Sequence, residues 1–190
     1  MIGTVQGTHS DLTNEEIIMA RIEKANLDQL STTTRTQLDA VRAKVGKVPN
    51  MFATMANSSA VLTGYLQFGD ALSKGELTAQ DRETIALAVG QANSCGYCLS
   101  AHTLLGKGAG LTSDDIQAAR AGKGSAVAEL AQRIVATRGQ LSDGELAAAR
   151  AAGLSDAQIL EVVAGVALNV LTNYTNNLVR TDIDFPEVAV

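Results

Sequence analysis

Ile85-Ala86-Leu87-Ala88-Val89-Gly90-Gln91-Ala92-Asn93-Ser94-Cys95-Gly96-Tyr97-Cys98-Leu99-Ser100-Ala101-His102 decides the fold class of this chain. The opening eight residues are apolar almost all round and show no period-two alternation. That marks a helix in the middle of a core. Asn93 and Ser94 interrupt it, and a second helix is expected from near Cys95 to Lys107. Spacings of i, i+3 and i+7 would then place Cys95, Cys98 and His102 on one helical face.

Upstream, Thr78 followed by Asp81 has the spacing of a capping box and opens the buried helix. Glu83 shares a face with Ala86, Leu87 and Gly90. A carboxylate entering such a helix has to be paired or have its pKa raised, unless it is an exposed first-turn residue that favours the helix dipole, and spacing alone weighs the two evenly. Further helices are expected at a capping box of Thr13 and Glu16, at Thr33 to Val45 with Leu38, Val41 and Val45 on one side, at Met51 to Asn57, and at Ala60 to Leu72. Downstream, Gly106, Gly108 and Gly110 are read as the stop of the cysteine helix. Helices follow at Thr112 to Ala121, Ser125 to Arg138, Asp143 to Ala151 and Asp156 to Asn173. Gly110-Leu111-Thr112-Ser113-Asp114-Asp115-Ile116 and Gly153-Leu154-Ser155-Asp156-Ala157-Gln158-Ile159 share a helix-entry pattern, a weak internal echo. The fold class read from the chain is all-α.

Its 190 residues suffice for one well-buried domain, and no linker-like stretch divides them. Aromatic residues are 3% of the chain against a hydrophobic share of 46%, so the core has to be built from Ala, Leu, Val and Ile. A net charge of -5 without a basic cluster argues against nucleic acid and against an anionic membrane surface. The start, Met1-Ile2-Gly3-Thr4-Val5-Gln6-Gly7, lacks a signal-like basic and apolar pattern, and the apolar run Ile159 to Leu171 is too short to span a bilayer. A cytoplasmic protein is the expectation.

Cys95 and Cys98 are the only cysteines, and His102 is one of two histidines; His9 falls in a polar stretch and reads as a solvated loop residue. In a reducing cytosol an isolated C-x-x-C points to a working dithiol or a metal site rather than to a structural staple. A zinc site could draw on Cys95, Cys98, His102 and Glu83. A thioredoxin fold is excluded because no strand precedes Cys95. Two structurally inert, buried cysteines are the bland alternative.

Glu83, Cys95, Cys98 and His102 meet at every position the motif E-x11-C-x2-C-x3-H, and the chain thereby resembles the alkyl hydroperoxidase D (AhpD) branch of the carboxymuconolactone decarboxylase-like superfamily. Gly46-Lys47-Val48-Pro49-Asn50-Met51-Phe52 with Leu62 and Tyr65, and Asp182-Ile183-Asp184-Phe185-Pro186, resemble flanking segments of its peroxidase-related members. The likeness spans about residues 46 to 186, leaving 1–45 as an N-terminal helical extension. It implies an AhpD-like helical bundle in which Cys98 attacks a hydroperoxide, Cys95 resolves it to a disulfide, and Glu83 and His102 relay protons. It also implies a thiol or dihydrolipoyl-type reductant and a homo-oligomer, trimeric or hexameric, and it calls for no cofactor and no metal.

The helix dipole favours a thiolate on Cys95, whereas nearness to His102 favours Cys98; the resemblance breaks the tie. Tyr97 stands where the best-studied branch has a histidine, and a phenol is no base near neutral pH. Asn176-Asn177 likewise stands where peroxidase-related members carry a histidine. A carboxymuconolactone-type decarboxylase and a non-enzymatic, redox-responsive scaffold are the other functions weighed; the dithiol counts against the decarboxylase.

Overall fold

The computed structural model describes residues 20–190. The expected first helix at Thr13 and Glu16, and His9, lie outside them. Among the described residues the chain is all-helical, with no strand. After a short turn of 3₁₀ helix at Leu27–Gln29 come α1 (Thr32–Val45), α2 (Asn50–Met55), α3 (Ser59–Leu72), α4 (Ala79–Ala92) and α5 (Gly96–Gly108). Then follow α6 (Ser113–Arg120), α7 (Ala126–Thr137), α8 (Asp143–Ala151) and α9 (Asp156–Val179).

α4 is the axis of the bundle. Thr84 to Gly90 are all buried, as a helix apolar on every side requires, and it packs against α5, α6, α7 and α9. Ile85, Ala88 and Val89 meet Val127, Leu130, Ala131 and Ile134 of α7 and Ile159, Val162 and Val166 of α9. Leu87 turns the other way, towards Leu99, Ile116 and Ala119. A fully buried Leu or Val of this kind contributes about 1.5–3 kcal/mol. Gly165 lets α9 come close: a Cβ there would stand 3.2 Å from the Ile85 side chain.

Local chemistry sets the helix ends. Thr78 with Asp81, Thr112 with Asp115, Ser142 with Glu145 and Ser155 with Gln158 form complete capping boxes. The two echoed segments therefore do share one entry geometry, each box preceded by a left-handed glycine, Gly110 or Gly153. Of the three glycines read as the stop of α5, only Gly110 acts as one, at φ +96°. Gly106 and Gly108 stay helical, because a stop needs the left-handed conformation and Gly110 alone adopts it. In α1, Leu38 and Val41 are buried, while Val45, at the last helical position, is half in solvent.

α9 runs on past the expected end at Asn173 to Val179, well over one further turn. It is long and apolar enough by length and composition to cross a membrane; in this fold Val162, Gly165, Val166, Asn173 and Asn176 are buried, and the helix packs against α3, α4, α5 and α7. Beyond it, the tail from Thr181 folds back over α5. Asn50 Nδ2 donates to the Asp182 carbonyl at 2.9 Å, Val188 N–H to Ser100 Oγ at 3.3 Å, and Arg120 Nη2 to the Ala189 carbonyl at 2.6 Å.

Candidate functional site

The α4–α5 corner is built around Cys95. The Cys95 N–H donates to the Gly90 carbonyl at 2.9 Å and the Ser94 N–H to that of Gln91 at 3.1 Å, the paired bonds of a Schellman closure of α4. Ser94 takes the left-handed position at φ +50°, where glycine is the usual occupant. Cys95 is also the N-cap of α5, and its Sγ accepts the Cys98 N–H at 3.3 Å. One residue thus ends one helix and begins the next. This corrects the single-face expectation: as an N-cap Cys95 has extended backbone, at φ −92° and ψ 92°, so only Cys98 and His102 hold helical register.

Cys95 and Cys98 are joined as a disulfide, with Cα atoms 5.3 Å apart. Cys95 is completely buried and Cys98 is 2% exposed. They lie in the apolar cluster of Leu38, Met51, Met55 and Leu62, where α1, α2 and α3 cover the cysteine helix. Cys98 borders a cavity of about 140 Å³ whose wall is mainly apolar. Phe52, Tyr65, Tyr97 and Phe185 supply aromatic walls, and His102 borders the same space. Cys95 does not reach it.

Glu83 is paired. Its Oε2 lies 2.8 Å from His102 Nδ1, with both side chains about one-fifth exposed. A carboxylate on Nδ1 fixes the imidazole and leaves Nε2 for the cavity. No hydrogen bond joins His102 to Cys98, in contrast to the direct contact their i, i+4 spacing allows; the two face one space instead.

Tyr97 serves as a tie. Its hydroxyl donates to Asp184 Oδ1 at 2.9 Å and accepts the Met51 N–H at 3.2 Å, while Lys47 pairs with Asp184 at 3.0 Å. Burial first, and then the hydrogen bond and charge of Asp184, hold the phenol proton well above its ordinary range. Tyr97 is therefore a neutral strut between α2, α5 and the tail, and not a base. Tyr65, packed edge-on against Phe52, is pushed up to about 12 by burial and secondarily by the Glu83 charge.

Sequence reasoning marked Asn176-Asn177 only as a departure from the resembled pattern and gave the amides of α9 no contacts or role. Asn176 Nδ2 donates to Cys98 Sγ at 3.4 Å, Asn93 Nδ2 to Asn173 Oδ1 at 3.0 Å, and Asn177 Nδ2 to the Asn93 carbonyl at 2.9 Å. The available signal was polar side chains inside the charge-free run 162–179, where an amide has to find a partner. Among the described residues no three His, Cys, Asp or Glu side chains gather as a metal-binding group.

Residues 59–137, which span α3 to α7, match the model of the Carboxymuconolactone decarboxylase family. The likeness read from the sequence holds over that span, which contains Glu83, Cys95, Cys98 and His102. No curated protein matches the chain. Among solved structures it is similar to an alkylhydroperoxidase AhpD core, an uncharacterized peroxidase-related protein from Ralstonia eutropha JMP134. That pair has 23% identity and a TM-score of 0.79 over 87% of this chain and 93% of the other. An uncharacterized peroxidase-related protein from Silicibacter sp. TM1040 is 18% identical with a TM-score of 0.72, over 92% of this chain and 96% of that one. The debrominase Bmp8, in complex with 2,3,4-tribromopyrrole, is 14% identical with a TM-score of 0.72, over 88% and 93%. The fold is thus that of the AhpD-like helical proteins.

Proposed function

We propose that this AhpD-like helical chain, with its carboxymuconolactone decarboxylase family segment, is a thiol-dependent hydroperoxide reductase. One observation carries the reading: Cys98, bonded to Cys95, and His102, anchored by Glu83, face one apolar cavity. In the reduced protein the Cys98 thiolate attacks the terminal oxygen of the hydroperoxide. The O–O bond breaks, a sulfenic acid forms on Cys98, and the alkoxide leaves with a proton from the His102–Glu83 pair. The Cys95 thiolate then attacks the Cys98 sulfur, water departs, and the disulfide forms. Two electrons from a thiol or dihydrolipoyl-type donor restore the dithiol, a cycle suited to a reducing cytoplasm.

Magnitudes favour the relay as the main source of rate. Lowering a thiol from about 8.5 to about 6.5 raises its thiolate fraction at neutral pH roughly 25-fold, and a Brønsted slope near 0.45 returns about 8-fold of that. General-acid help to the leaving oxygen is worth about 10² to 10⁴.

Association of copies into a homo-oligomer, trimeric or hexameric, belongs to the same proposal. It is supported by a stripe on α9, where Leu160, Val163, Leu171, Tyr174 and Leu178 are all exposed on one face.

A thiol count before and after one equivalent of hydroperoxide, with mass spectrometry locating the bridge, tests the function. Loss of two thiols and a Cys95–Cys98 bond are expected, with sulfenic acid trapped on Cys98 when Cys95 is serine. Inert thiols would overturn it. The four aromatic rings around the cavity favour a second reading, thiol attack on the halogen of a brominated aromatic; the debrominase neighbour is in complex with 2,3,4-tribromopyrrole. Bromide release with disulfide formation would identify that chemistry.

A further inference from the structure

Among the described residues the side chain that hydrogen-bonds the Cys98 sulfur is not that of His102 but that of Asn176, on α9. Its Nδ2 points at Cys98 Sγ from 3.4 Å, 78 positions away in the chain. The residue is 3% exposed, and its Oδ1 is sealed from solvent without a partner among the described residues. An interior amide with one half unsatisfied is destabilising beside an apolar side chain of its size. Turned over, the amide would set its oxygen lone pairs against the disulfide sulfur, which has no proton to give. The half that is used is the N–H on Cys98.

The backbone prefers the other sulfur. Cys95, as N-cap, receives the Cys98 N–H at 3.3 Å and sits at the positive end of α5, so on these contacts alone a negative charge would settle there. Cys95 is completely buried and does not line the cavity that Cys98 borders, so a thiolate on it would meet no substrate there.

We propose that Asn176 is a catalytic residue of the dithiol site, whose amide N–H holds the negative charge on Cys98 Sγ in the reduced protein and so makes Cys98 the nucleophile. A hydrogen bond to an ionised sulfur is stronger than one to a neutral partner, and the buried setting strengthens it further. Asn176 offsets the pull of the helix terminus on Cys95. The inference deepens the thiol-peroxidase reading and rests on it for the identity of the electrophile alone.

The test titrates each thiol singly, by the pH dependence of iodoacetamide alkylation and of thiolate absorbance. In the Cys95→Ser protein, Asn176→Ala is expected to raise the Cys98 midpoint by about one unit, roughly tenfold less thiolate below it. Asn176→Asp, equal in size but offering only acceptors when ionised, is expected to raise it at least as far. It reads the same quantity if the alanine variant does not fold. Asn173→Ala, one turn away on α9, leaves the midpoint in place, as does Asn176→Ala for Cys95 in the Cys98→Ser protein. A Cys98 midpoint unmoved by both Asn176 variants, or an equal rise at Cys95, overturns the proposal. No peroxide enters this measurement, so thiols inert to hydroperoxide would sink the peroxidase reading separately. Turnover itself is expected to fall only about two- to threefold, since thiolate fraction and nucleophilicity offset each other.

Discussion

Glu83 Oε2 stands 2.8 Å from His102 Nδ1, tying the second turn of α4 to the middle of α5 beside the cavity that Cys98 borders. The carboxylate decides which imidazole nitrogen is free, and the shared cavity decides what that nitrogen can reach.

Glu83→Gln keeps a hydrogen-bonding group but loses the charge that supports an imidazolium. Peroxide turnover is expected to drop about 100-fold or more, the lower end of general-acid catalysis. Thiol counting is expected to show the Cys95–Cys98 bond still forming. Wild-type turnover in this variant would remove the pair from the mechanism.

Ser94 occupies a left-handed position that costs an L residue about 1–2 kcal/mol, while glycine there loses about 0.5–1 kcal/mol of chain entropy. Ser94→Gly is therefore expected to stabilise the fold by roughly 0.5 kcal/mol, a rise of about 1–2 °C in Tm. Scanning calorimetry checks it, and a lowered Tm would show that the serine hydroxyl has a role in the corner.

Alkali should loosen the protein through its buried phenols. Tyr65 and Tyr97 are held protonated above the ordinary value of 10.0, Tyr65 to about 12, chiefly by burial. Because the folded state keeps the proton longer than the unfolded chain, their contribution is complete below about pH 10 and is lost as pH climbs towards 12. Urea unfolding across pH 8 to about 11.5 is expected to show that decline, and Tyr65→Phe to flatten it. An equally steep decline in the phenylalanine variant would place the effect elsewhere.

The stripe on α9 predicts association. Leu160→Glu together with Leu171→Glu places two charges on a face now without any between Val162 and Val179. Sedimentation equilibrium is expected to give a multiple of the chain mass for the unaltered protein and the single-chain mass for the double variant. A monomeric unaltered protein would dismiss the homo-oligomer.

Much of this was legible in the chain, for local reasons. Apolar helical spacing and polar caps located α1 to α8 to within about two residues, since both signals act over a single turn. The same locality explains the misses. The sequence places the end of α9 at Asn173 because asparagines normally punctuate helices, whereas in the fold Asn173 and Asn176 face the α4–α5 corner and Val179 packs inward. Cys95 was counted in helical register because nothing in the sequence distinguishes an N-cap cysteine from a helical one. Glu83 and His102 were found as motif members, but their bond spans two helices. The bond between Asn176 and Cys98 joins residues 78 apart, and no spacing rule reaches that far.

The burial of the disulfide has a consequence for electron supply. Cys95 touches no open space, Cys98 is reached through the cavity, and Phe185 of the folded-back tail forms part of the wall. On the proposed peroxidase reading, a donor with its thiols recessed in a globular surface would be too broad to make contact there, whereas a slender arm ending in sulfur would enter. Such an entrance would sort electron donors by girth, with the latch of Asp184 to Tyr97 and Lys47 beside it.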